Sequence, residues 1–163
     1  MRESSYFTTL PFIAMAVCSP LGGVISDRIT RFYGKRWGRC GVAVVGIGLS
    51  AVFVASGSYV ASPRLASIVL AGGAGALYIS QSTFWSVTAD IAGESAGAVS
   101  GVMNMGAQIG STVTATLTPM IAARFGWEAS FGAAGFLCAT GALAWLWVDP
   151  NHKLTPTECR ITS

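Results

Sequence analysis

Gln81 and Asn104 each lie inside a long stretch of sequence without a charged residue. A side-chain amide in apolar surroundings costs free energy unless it is hydrogen-bonded or faces water. Its chemistry is recognition: an acceptor and two donors that can hold a polar ligand. Gln108 follows Asn104 by four residues and shares its face of a helix, with Ser111 and Thr112 continuing near that face. Around Gln81 runs a polar segment, residues 80–83 together with Ser86. Hydroxyls in such helices commonly bond back to their own backbone, so they are weaker candidates than the amides. A second group surrounds Asp27, close to Arg28, Arg31, Lys35, Arg36 and Arg39. A carboxylate at a helix end can pair with an arginine or with the positive end of a neighbouring helix. Such a contact holds one conformation and breaks in another.

These side chains need rods to position them, and the placement of charge says what the rods are. Of 163 residues 52% are hydrophobic and 10% charged, against roughly 25% charged in an average soluble domain. A soluble fold of this length could not hide so much apolar surface, and a disordered chain would be polar. The charge-free stretches cover 4–26, 40–63, 65–89, 95–123 and 129–148. A helix needs roughly 20 apolar residues to cross the hydrocarbon core, and a barrel strand only about ten with alternating character. The expected fold is all-α, an integral membrane bundle of about five spans, near 4–26, 40–61, 65–89, 96–123 and 128–148. Residues 1–150 form the bundle and 151–163 a polar tail. Arg2 and the apolar run after it have the outline of a signal peptide, but Glu3 and the lack of a small-x-small cleavage site favour a span.

Short connections make successive helices antiparallel neighbours. Gln81 then lies about 13 Å from the Asp90 end of its helix, and Asn104 roughly 12 Å in from the same side. Glycines supply close approach where lipid gives no hydrophobic drive: Gly46 and Gly48 on the second span, Gly72, Gly73 and Gly75 on the third, and Gly97-x-x-x-Gly101 with Gly106-x-x-x-Gly110 on the fourth. Pro119 is expected to kink the outer part of that fourth helix.

Seven of the ten positive residues fall in the connection after the first span and in the tail. The positive-inside rule then puts both on the cytoplasmic side, with the amino terminus outside. A basic loop beside a span fits anionic lipid, so the formal charge of +3 does not point to nucleic acid. Trp145, Trp147, Tyr59 and Trp127 suit interfacial belts. Cys18, Cys40, Cys138 and Cys159 are too widely spaced for a metal or redox motif and are expected to be free thiols. With one histidine, His152, and no buried carboxylate beside it, no metal, cofactor or enzyme constellation is expected.

The segment Gly23-Val24-Ile25-Ser26-Asp27-Arg28-Ile29-Thr30-Arg31, followed by Gly34-Lys35-Arg36, resembles the signature loop of the major facilitator superfamily, G-x-x-x-D-[RK]-x-G-[RK]-[RK]. Gly23, Asp27, Arg28 and Arg31 match, so the resemblance makes them the conformational latch; Thr30 departs from the pattern. Gln81-Ser82-Thr83-Phe84-Trp85, Ala89-Asp90-Ile91-Ala92-Gly93 and Gly97-x-x-x-Gly101-Val102-Met103-Asn104 are similar to the anion:cation symporter branch, which includes hexuronate, aldonate, phthalate and sialic acid carriers, as is the closing Trp147-Val148-Asp149-Pro150.

The resemblance implies a secondary transporter for a small organic anion, coupled to a proton or sodium ion, working by alternating access in a cell membrane. It implies that Ser82, Thr83, Trp85 and Asn104 contact the substrate, with Phe84 an alternative to Trp85; Gln81 and Gln108 join them from the depth argument alone. Family members have twelve spans, and this chain resembles the eighth to twelfth. The titratable carboxylate and the substrate-binding cation are then expected in a missing amino-terminal half, since no span here has a charge near its middle. The alternative reading is a non-transporting membrane interaction protein, or a truncated remnant.

Overall fold

The computed structural model describes residues 2–57, 59–60 and 62–151, with side chains from residue 9 onward. The expected tail, with His152 and Cys159, falls outside this range except for Asn151. All regular structure among the described residues is helical. Helix α1 spans Arg2–Tyr33, and a π-helical segment, Arg36–Gly41, leads directly into α2, Val42–Gly57. Helices α3, Pro63–Ala92, and α4, Ala96–Phe125, follow, then α5, Trp127–Ala144, which ends in a 3-10 turn, Trp145–Trp147.

Four stretches are long and apolar enough to cross a membrane: Thr9–Tyr33, Arg36–Gly57, Pro63–Phe125 and Trp127–Trp147. The third holds 63 residues, roughly 95 Å if straight, about three times a hydrocarbon core. It is not straight. A 3-10 turn, Gly93–Ser95, interrupts it, and Gly93 has φ of +51°. The Thr88 hydroxyl reaches Met103 Sδ at 3.3 Å, whereas fifteen residues of continuous helix would separate them by about 22 Å. The chain reverses at Gly93, and α3 and α4 are separate rods of 30 residues each.

The expectation of a basic loop after the first span is corrected by the structure. Only Gly34, with φ of +84°, leaves helical geometry there. No residue from Asp27 to Tyr33 breaks a helix, so Arg28 and Arg31 ride on α1 while Lys35, Arg36 and Arg39 open the next helix. Hydropathy marks where charge begins, not where the helix stops.

Helix α3 sits between α1 and α2, α5 packs on α2, and α4 leans on α5 while meeting α3 more sparingly. Two glycines allow the tight contacts. A Cβ on Gly22 would strike the backbone of Ile79, and one on Gly46 would strike Ser80 and the Ala76 carbonyl. Ser80 is fully buried and donates to the Ala43 carbonyl at 3.2 Å, tying α3 to α2 across that approach. Pro119 lies within α4, which continues through it as helix.

Candidate functional site

At the basic end of the bundle, a charge network joins α1, the π-helical segment and α3. Arg39 donates from Nη1 to Asp27 Oδ1 at 2.8 Å and from Nε to Asp90 Oδ2 at 3.3 Å. Lys35 Nζ reaches the other oxygen of Asp90 at 3.0 Å. Two cations and two carboxylates close on one another. Arg39 and Asp90 side chains are only 13% and 23% exposed, which separates this cluster from the solvent-exposed pairs that contribute little.

Local structure aims Arg39 at this point. Ser26 is fully buried; its hydroxyl donates to the Gly38 carbonyl at 2.7 Å and accepts from Arg39 Nη1 at 3.0 Å. Thr30 bonds back to the Ser26 carbonyl at 2.7 Å. The hairpin around Gly34 thereby presents Lys35 and Arg39 to the end of α3. Each interhelical bond here has a charged partner or is buried, and such bonds are stronger than neutral exposed ones.

Asp27 is thus held, but not by the arginines nearest in sequence. Arg28 and Arg31 are exposed and form no hydrogen bond or ion pair with the described residues. Gly23 meets nothing that a Cβ would disturb; the close approach belongs to its neighbour Gly22. Sequence spacing put Arg28 and Arg31 rather than Arg39 in the latch, and for Asp90, at its helix end, it allowed a latch or a cap role without naming a partner. The Arg39–Asp90 pairing spans 51 residues and depends on the π-helical segment lying against the end of α3.

The second group is divided by the fold. On α3, Leu77, Gln81, Trp85 and Ala89 recur every four residues as the more open stripe; Trp85 is 45% exposed and Gln81 half-buried. Thr83 faces the other way. Its side chain is fully buried within the bundle, and its hydroxyl has no hydrogen-bond partner among the described residues. Phe84 stacks on Trp145 with ring centroids 4.6 Å apart, which engages both rings in packing between α3 and the turn that ends α5. The neighbouring Trp147 remains 87% exposed. Ser82 and Ser86 bond back to the carbonyls of Ile79 and Ser82.

On α4, Asn104 and Gln108 are both exposed. Ser111 approaches Gln108 Oε1 at 3.4 Å, while Ser111, Thr112, Thr114 and Thr116 all donate to backbone carbonyls within the helix. No residue of α4 is buried, and Gly97, Gly101, Gly106 and Gly110 all face open space. The expected close packing of those glycines is absent among the described residues. The Thr88–Met103 contact holds the two helices together beside the turn, and no hydrogen bond joins Gln81 to Asn104 among the described residues. What remains in the open is an aromatic and amide stripe on α3 and an amide, hydroxyl and glycine face on α4.

This arrangement can hydrogen-bond a polar ligand and can latch one end of the bundle. Among the described residues no group of histidine, cysteine and carboxylate side chains could hold a metal ion. Cys18, Cys40 and Cys138 are free thiols, and the Cys40 thiol donates to the Val148 carbonyl at 3.4 Å.

The family model of the Major Facilitator Superfamily matches residues 2–158. A relative from Cupriavidus necator named "probable sulfoacetate transporter" is 34% identical over 152 residues, covering 92% of this chain and 35% of the relative. A chloroplastic "probable anion transporter 1" of Oryza sativa subsp. japonica is 28% identical over 155 residues, covering 94% of this chain and 29% of its own. A chloroplastic "ascorbate transporter" of Arabidopsis thaliana is 29% identical over 155 residues, again 29% of that protein. The chain spans about a third of the length of these curated relatives.

Proposed function

Because the chain belongs to the major facilitator superfamily and is a multi-pass membrane protein of that family, we propose that it forms part of a secondary active transporter for a small organic anion. The carrier works by alternating access, two halves rocking about a central site, coupled to a proton or sodium ion. Three relatives named for anionic or acidic cargo support the substrate class. The carrying observation is α4: a membrane helix with no buried residue, four uncovered glycines and two exposed amides. Amides facing lipid alone are costly, so α4 requires a wet cavity and a further protein segment to enclose it.

In this reading Gln81, Ser82, Trp85, Asn104 and Gln108 line one side of the path, supplying neutral hydrogen bonds and an aromatic wall. The Asp27–Arg39–Asp90–Lys35 cluster is the latch that forms in one state and parts in another. The five helices α1–α5 each cross the membrane, and the basic end is cytoplasmic by the positive-inside rule. The partner half brings the substrate's cation and the titratable carboxylate, so the 163-residue chain alone carries no substrate.

The test is uptake of labelled sulfoacetate into proteoliposomes. A chimera in which residues 2–158 replace the matching part of the Cupriavidus necator relative is expected to transport, and the chain alone is not. Asn104→Ala and Gln81→Ala in the chimera each raise the substrate KM about tenfold, the equivalent of one lost charge-assisted hydrogen bond of roughly 1.5 kcal/mol. Uptake by the isolated chain, or unchanged transport in both variants, overturns the reading. The uncovered glycines of α4 also suit a membrane interaction protein, and unchanged transport in those variants would favour it.

A further inference from the structure

Two grooves lie side by side at the basic end of the bundle. The larger, about 650 Å3, runs between α1, α2 and α3 and is walled by Ile25, Ile29, Tyr33, Trp37, Val45 and Ile79. The smaller, about 400 Å3, lies on the other side of Trp37 and Val45 and reaches Leu146; Arg36 stands on its wall. The dividing ridge is therefore one aromatic and one aliphatic side chain, with a guanidinium beside it.

Arg36 differs from the cations around it. Lys35 and Arg39 turn inward to Asp90 and Asp27. Arg36 is exposed and forms no hydrogen bond or ion pair with the described residues. Tyr33 and Trp37 are 73% and 69% exposed at the same level, which suits the headgroup depth of a bilayer.

We propose that this is a binding site for one anionic diacyl phospholipid, with a tail in each groove, the ridge of Trp37 and Val45 between them and the phosphate on Arg36. Two tails match two apolar channels, and a negative headgroup matches the exposed guanidinium of Arg36 on the wall of the smaller one, next to the shared ridge. An acyl chain entering a groove leaves one hydrocarbon environment for another, so the grooves select by shape and Arg36 selects by charge. A protein segment lying here would have to bring a carboxylate to Arg36 as well as apolar bulk for both channels; a phospholipid carries both. The inference is independent of the carrier reading and needs only the membrane.

The full chain in nanodiscs provides the test, read by quenching of tryptophan fluorescence with acyl-brominated lipids. The contribution of Trp37 is isolated as the difference between the chain and Trp37→Phe. Brominated phosphatidylglycerol is expected to quench it about five-fold more effectively than brominated phosphatidylcholine, the preference one basic residue confers. Arg36→Gln removes that preference, and Arg36→Lys and Arg28→Gln retain it, each with an unchanged circular dichroism spectrum. Equal quenching by the two lipids overturns the proposal. So does a loss in Arg28→Gln as large as in Arg36→Gln, which would mean a general surface potential. Quenching by neither lipid also overturns it, since Trp37 then has no acyl chain against it.

Discussion

Helices α3 and α4 are the same length, adjacent in sequence and similarly dotted with glycine, serine and threonine, yet they occupy opposite environments. On α3, Ala71, Gly73, Gly75, Ser80, Thr83, Val87 and Thr88 are among the buried residues. The α1 and α2 glycines that approach it leave no room for a methyl group. On α4 nothing is buried and every glycine is idle. Small residues are thus not evidence of packing by themselves. On α3 they sit where a backbone comes close, and on α4 they sit on a face that no described residue covers.

The largest expected effect lies on the packed side. Gly22→Leu and Gly46→Leu push side chains into the Ile79 backbone and into Ser80 with the Ala76 carbonyl, and should each destabilise the bundle by about 3 kcal/mol, the upper range for overpacking. Gly101→Leu on α4 should change stability by less than about 0.5 kcal/mol in the isolated chain. Reversible unfolding in mixed micelles measures both, and equal losses would erase the contrast. The same Gly101→Leu should abolish transport in the chimera, where α4 is covered.

Next in size is the charge network. Asp90→Asn leaves Lys35 and Arg39 without their shared carboxylate and should cost roughly 1–2 kcal/mol, a value reduced by partial exposure of the cluster. Arg28→Gln should fall within about 0.5 kcal/mol of the parent. Unfolding of both variants at low and high salt checks the ranking; a larger loss for Arg28→Gln would restore the pairing expected from sequence proximity.

The smallest effect has the opposite sign. Thr83 carries a buried hydroxyl with no partner, and Thr83→Val keeps the shape while removing the orphan donor. Stability should rise by about 0.5–1 kcal/mol. A loss would mean that the hydroxyl has found a bond, and that the packed side of α3 is less dry than its burial indicates.

Much of the architecture was legible in the sequence because charge is excluded from hydrocarbon: seventeen charged residues marked the ends of the apolar rods. Asp27 was legible as an ionic anchor because a lone carboxylate at a helix end needs a partner. The Arg39–Asp90 pairing was not, since it is set by how the π-helical segment meets the end of α3. Nor was the sealed position of Thr83, because a run of polar residues on a helix turns through every direction and only packing decides which one points inward. The reversal at Gly93 came close to the expected boundary.

The three-residue turn at Gly93–Ser95 leaves almost no slack between two stiff rods, each about 45 Å long. It acts as an elbow at the base of a lever. A change of about 5° in the opening angle there swings the opposite tip of α4 by about 4 Å, by the same length estimate. Asp90 sits just before the elbow and is clasped by Lys35 and Arg39, so in the proposed carrier a change of angle that follows release of the clasp is amplified at the far end of α4 without any helix having to bend.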